Sequence, residues 1–166
     1  MTKAKSILRY LTTLIIGSIT AVFLEDHFHR LVRQLYASLT YNQISFRMPK
    51  LDLYYTFLSF GISFGLFLLI FLVLLERQTK RQIQINLFLT LIFMICSLIL
   101  YCYFDGNIKL IECTACDDGT IILEYSNLNY TKIFITTLIT SLIPCIWTEI
   151  KNHRNTIRQT IFKAST

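Results

Sequence analysis

The hydrophobic positions of this chain fall into four runs separated by short polar stretches, and the two longest are apolar on every face. Leu53 to Leu75 is 23 residues without a charge or a proline. At ~1.5 Å per residue, such a helix crosses the ~30 Å hydrocarbon core of a bilayer. Ile83 to Phe104 repeats the pattern. Hydrocarbon offers no partner to an open backbone amide, so a spanning segment is a helix or part of a closed barrel, and runs of this length choose the helix. Two shorter runs flank them: Tyr10 to Leu24, and Ile133 to Thr148 between Lys132 and Glu149. Both fall below the ~20 residues of an ordinary span. The stems of Arg9 and Lys132 reach toward the interface and let them cross, with Trp147 as an interfacial anchor. The expected fold is an all-α integral membrane protein of one domain, with spans near residues 8–26, 53–75, 83–104 and 131–150.

The connections carry weaker periodicities. Phe28, Leu31, Val32, Leu35, Tyr36 and Leu39 recur at helical spacing, with His29, Arg30, Arg33 and Gln34 opposite. This predicts an amphipathic helix that lies in the outer headgroup plane or extends the first span, presenting His29, Arg30 and Arg33 to lipid phosphates. Pro49 ends that segment. In the second long loop, the β-prone runs Ile108 to Ile111 and Thr120 to Tyr125 flank Asp118-Gly119. That pattern predicts a small β-hairpin cap.

Charge orients the spans. Lys3, Lys5, Arg9, Arg77, Lys80, Arg81, Lys151, Arg154, Arg158 and Lys163 share one side with only Glu76 and Glu149. The other side holds six cations against eight acids. The positive-inside tendency places both termini in the cytoplasm. Loops 27–52 and 105–130 are then outside, and loop 76–82 and tail 151–166 inside. Arg77, Lys80, Arg81, Lys151, Arg154 and Arg158 form the inner surface for anionic lipid or a cytoplasmic partner protein. Lys3, Lys5 and Arg9 before an apolar run also describe a secretory signal, but no convincing cleavage site follows, so the run reads as an uncleaved anchor. With 54% hydrophobic residues, too few polar positions remain to build a separate soluble module.

Candidate chemistry is sparse. The most compact polar motif is Glu112-Cys113-Thr114-Ala115-Cys116-Asp117-Asp118-Gly119. In an oxidising compartment, a structural bridge between Cys113 and Cys116 is the simplest use, although on one strand their Cα atoms stand ~10 Å apart, beyond disulfide reach. A wider loop would bring them together. Thiol-disulfide exchange, as in membrane quinone-linked thiol oxidases, is the alternative, but those enzymes need a second cysteine pair and here only Cys102 is near. Zinc held by Cys113, Cys116, Asp117 and His27 or His29 lacks the second pair that makes such a site specific, so no metal or cofactor is expected.

Cys96 and Cys145 read as small apolar residues, and Pro144 predicts a kink in the fourth span. Ser59, Gly61, Ser63 and Gly65 make two interleaved small-xxx-small pairs, which serve packing within the chain or an oligomer interface. No charge lies deep in a span, which disfavours a transporter. A pore would have Thr136, Thr137, Thr140 and Ser141 as its polar lining. Phosphate-loop, zinc-protease and serine-hydrolase motifs are absent. Asn129-Tyr130-Thr131 is a glycosylation sequon that matters only in a eukaryote.

Four spans in under 200 residues, termini on one side, the outer Glu112-to-Gly119 loop and the lack of catalytic groups resemble the membrane subunit of the Kiwa anti-phage defence system, KwaA. The resemblance is architectural and covers the whole chain. It implies a non-enzymatic inner-membrane homo-oligomer, a tetramer, that perceives phage attack at the envelope. It also implies a KwaB-like cytoplasmic partner that binds DNA, with no direct nucleic-acid contact by this chain. The expected function is therefore an oligomeric sensor or anchor. The alternatives are a thiol-disulfide oxidoreductase and a small channel.

Overall fold

The computed structural model describes residues 3–41, 43–47, 56–76, 78–112, 121–124 and 127–164. In chain order these form α1 (Lys3–Leu39), β1 (Ile44–Arg47), α2 (Thr56–Glu76), α3 (Lys80–Glu112), β2 (Ile121–Glu124), α4 (Tyr130–Ser141) and α5 (Ile143–Ala164). Four helices among the described residues are long and apolar enough to cross a membrane, the last being α4 and α5 together. The share of each helix's most apolar window that is buried within the chain runs from only 11% to 39%. Phe23, Leu8, Phe88 and Phe104 stand largely exposed. Apolar surface on this scale is stable only where hydrocarbon is the solvent.

The path alternates in direction. Arg9 at the start of α1 meets Glu76 at the end of α2, and Tyr36 near the end of α1 meets Asp105 near the end of α3. Gln82 at the start of α3 meets Asn152 on α5. One end of the bundle thus collects Lys5, Arg9, Lys80, Arg81, Lys151 and Arg154 and is called the basic end. The opposite end carries the two strands.

The predicted hairpin is corrected. Ile108 to Ile111 belongs to the last turns of α3, where Lys109 lies 3.8 Å from Asp105 four residues earlier and Asn107 donates to the Tyr103 carbonyl at 2.7 Å. These i,i+4 contacts extend the helix through a β-branched stretch. Ile121–Glu124 instead pairs in parallel with Ile44–Arg47, Ile44 opposite Ile121. Each strand follows a helix that arrives at the cap end and precedes one that leaves it, so the two run the same way. Ile44, Ile121 and Leu123 face the core while Ile122 faces out, the alternation of a half-buried ribbon.

The long first helix settles the open choice in the amphipathic segment: residues 28–39 continue α1 beyond its apolar run. At ~1.5 Å per residue, α1 measures about 55 Å and α3 about 50 Å, well past the ~30 Å of hydrocarbon. At the other break, Leu142 separates α4 from α5 two residues before Pro144, where the ring denies the helix a donor. Asn129 of the sequon caps α4, its side-chain oxygen accepting from the Lys132 amide at 2.9 Å.

The helix pair α1–α2 is closed by absent side chains. A Cβ on Gly65 would stand 2.5 Å from Ser18 Oγ and 2.8 Å from the Leu14 carbonyl, and one on Gly61 would stand 3.2 Å from the Ser18 carbonyl. Gly17 answers from α1, where a Cβ would stand 3.2 Å from the Gly65 Cα. Gly61 and Gly65 face α1 of the same chain, which is where small residues let backbones touch. Ser59 is exposed and Ser63 is half-buried, its hydroxyl bonded to the Ser59 carbonyl at 2.6 Å. Gly65→Leu should lower stability by about 1–3 kcal/mol through overpacking, measured as an earlier unfolding transition in mild detergent, whereas Ser59→Leu should leave the transition unchanged.

Candidate functional site

One set of buried polar groups lies at the cap end, on a stripe of α1 that continues to Thr40 just past its end. Glu25, His29, Val32, Tyr36 and Thr40 follow one another at intervals of four, three, four and four, which puts them on a single helical face, and all five are buried. His29 packs over the Tyr130 ring with centroids 4.1 Å apart and meets Phe60 edge-on at 5.3 Å. The Glu25 carboxylate lies 3.8 Å from His29 Nε2. Two sequence expectations change here. His29 does not share an outward polar face with Arg30 and Arg33, and Glu25 is a buried acid within a spanning-length helix. Arg30 is exposed and donates to the Asp26 carbonyl at 3.4 Å, while the half-buried Arg33 donates to the His29 carbonyl at 3.3 Å.

Further along the stripe, the Tyr36 hydroxyl donates to Asp105 at 2.7 Å, tying α1 to α3 beyond the apolar runs. Gly106 makes room for this contact. A Cβ there would press to 3.0 Å from Thr40 and 3.4 Å from the Tyr36 ring. On the other side of Glu25 and His29, toward mid-bundle, a cavity of about 370 Å³ opens between α1, α2, α3 and α4. Phe28, Phe60, Phe64, Leu98, Phe134 and Leu138 are among its walls, and Phe60 stacks on Phe134 at 4.3 Å. The volume is in the range of small-molecule pockets. Its two polar wall residues are His27 and Thr137, and the Thr137 hydroxyl is engaged by the Ile133 carbonyl at 2.7 Å, so the cavity suits an apolar guest.

The basic end has its own buried polar set. Asn86, inside the uncharged third run, donates to Gln78 at 2.7 Å and accepts from Thr148 at 3.2 Å; Gln82 donates to Asn152 at 3.1 Å; and Thr90 lies 3.6 Å from Cys145. Together these fasten α3 to α5. Arg9 and Tyr10 both bond Glu76, at 3.0 and 2.6 Å, and fasten α1 to α2. The signal was present in the sequence as an amide among apolar neighbours, a residue type that binds helices together in hydrocarbon.

The structure gathers Lys80, Arg81, Lys151 and Arg154 at the basic end, all exposed, with Arg158 further along α5. Arg77, Cys113 and Cys116 lie outside the described residues, so the bridge, exchange and zinc readings of the cysteine pair stand as they were. Among the described residues no group of three or more His, Cys, Asp or Glu side chains could hold a metal ion. Cys102 and Cys145 are buried free thiols, and Cys96 is exposed. The hydroxyls of Thr136, Thr137, Thr140 and Ser141 each donate to a carbonyl of their own helix at 2.7 to 2.9 Å. Comparison with protein-family models, curated proteins and solved structures finds no match for this chain.

Two outcomes follow for the ties. A double-mutant cycle on Tyr36→Phe and Asp105→Asn, read by denaturant unfolding in mixed micelles, should give a coupling of roughly 1.5–3 kcal/mol, as expected for a hydrogen bond to a charged group. Asn86→Leu should cost about 0.6 kcal/mol and at most about 1.7 kcal/mol in the same assay, the mean and upper limit for polar ties between membrane helices.

Proposed function

We propose that this chain is a non-enzymatic subunit of a bacterial inner-membrane complex, an oligomeric sensor or anchor that couples the envelope side to a cytoplasmic partner. One observation carries the reading. Helices α1 and α3 each exceed the hydrocarbon thickness, are joined at the cap end through Tyr36 and Asp105, and are fastened at the basic end to α2 and α5. A change in the tilt of either rod at the cap is thereby delivered to the basic end. This suits a receptor without a reaction of its own, which signals only through differential contacts in two arrangements. Orientation with the basic end inside follows from the lysine and arginine bias.

The partner meets α5 and the α2–α3 turn. Lys80, Arg81, Lys151 and Arg154 present a cationic face to an acidic surface, and in the anti-phage role that the Kiwa resemblance implies, the partner is a cytoplasmic DNA-binding protein. Affinity purification of the full chain from its native membrane in mild detergent should retain one cytoplasmic protein at fixed stoichiometry. Lys151→Glu with Arg154→Glu should release it at least tenfold without shifting the unfolding transition. Equal retention by the charge-reversed variant, or the absence of any cytoplasmic protein, contradicts the proposal.

A further inference from the structure

Near the basic end, α1 and α2 leave a groove of about 470 Å³ on the surface, lined among the described residues by these two helices alone. Its floor and walls include Leu8, Thr12, Ile16 and Leu68, and Lys5 and Arg9 belong to the same lining. Leu8 and Ile16 are each more than half exposed. The hydroxyls of Thr12 and Thr13 are engaged by the Leu8 and Arg9 carbonyls at 2.7 and 2.9 Å, so neither needs a polar partner from an occupant. From Lys5 to Ile16 the helix rises ~16 Å, about half of the ~30 Å hydrocarbon core and therefore the depth of one leaflet.

Charge selects the occupant. Lys5 is exposed and has no acidic partner among the described residues. Arg9 gives Nη1 to Glu76 at 3.0 Å, and Glu76 is held from its other oxygen by the neutral Tyr10 hydroxyl at 2.6 Å, so Lys5 and Arg9 with this one acid leave the mouth of the groove net positive. A guanidinium has five N–H donors, and that contact uses one. An apolar trough one leaflet deep, headed by a net positive pair, matches one lipid geometry. We propose that this groove binds an anionic phospholipid, with its phosphodiester between Lys5 and Arg9 and one acyl chain along Thr12, Ile16 and Leu68. A helix of a second copy would match the apolar walls but not the cations. The site depends neither on the sensing role nor on which side of the bilayer the basic end faces.

Native mass spectrometry of the full, delipidated protein in neutral detergent tests this, with phosphatidylglycerol and phosphatidylcholine of identical chains as probes. The wild type should keep one phosphatidylglycerol per chain at least fivefold better than phosphatidylcholine. Inorganic phosphate at the same concentration should not displace it. Lys5→Ser should weaken phosphatidylglycerol about fivefold, the effect of one cation near a lipid surface, and leave phosphatidylcholine unchanged. Thr12→Trp fills the trough from an exposed position and should weaken both lipids. Equal binding of the two lipids, displacement by free phosphate, or phosphatidylglycerol binding that survives both substitutions overturns the proposal. So does a protein dimer that Thr12→Trp abolishes. An unfolding transition matched to wild type qualifies each variant, and Thr12→Phe replaces any tryptophan variant that unfolds.

Discussion

The close approach of α1 to α2 at Gly17, Ser18, Gly61 and Gly65 is the contact on which the rest of the bundle depends. Hydrocarbon gives two apolar helices no reason to associate, so their attraction comes from van der Waals contact and is strongest where side chains are absent. That seam sets the relative height of the two helices. With it fixed, Arg9 and Tyr10 reach Glu76 at one end, and Phe28 and His29 meet Phe60 at the other. A slip of one turn, ~5.4 Å, would separate both sets at once.

Polar contacts then add the remaining helices at two levels. Near the basic end, Asn86 bridges Gln78 and Thr148, where an amide left without a partner would be costly in hydrocarbon. Beyond the apolar runs, Tyr36 and Asp105 join α1 to α3, with Gly106 allowing the approach. Between these levels the packing is mostly apolar and includes the open aromatic cavity.

The spans were legible because length and apolar content in a bilayer leave the backbone one choice. Leu53 to Leu75 and Ile83 to Phe104 lie almost wholly within α2 and α3. Their continuation past the bilayer was harder to read, since α1 past Leu24 is polar on one side, and its helix is stabilised by packing of Val32 and Tyr36 that no local window contains. The strand at Ile121–Glu124 was legible, but its partner was misassigned for the same reason. The partner of Ile121–Glu124 lies 77 residues away in the register, at Ile44–Arg47, with two helices between. A local turn at Asp118-Gly119 was the nearer explanation. His29 was read on the polar face of the amphipathic helix and Glu25 among the eight acids of the outer side, although their four-residue spacing joins the Val32–Tyr36 stripe. Their burial depends on Phe60 and Tyr130 from distant elements. The small-residue stripe was visible, but which helix it meets was not, because Gly17 and Ser18 carry no signal that names Gly61 and Gly65 as partners.

The crossing of the bilayer by α1 and α3, with cap and basic end on opposite sides, is tested most directly by single cysteines at Ser45 and Asn155, with the five native cysteines changed to alanine. A membrane-impermeant maleimide applied to intact inner-membrane spheroplasts should label the Ser45→Cys chain. It should reach the Asn155→Cys chain only after permeabilisation. Labelling of both positions from the same side, or of Asn155→Cys from outside, contradicts the arrangement and the inward coupling that follows from it.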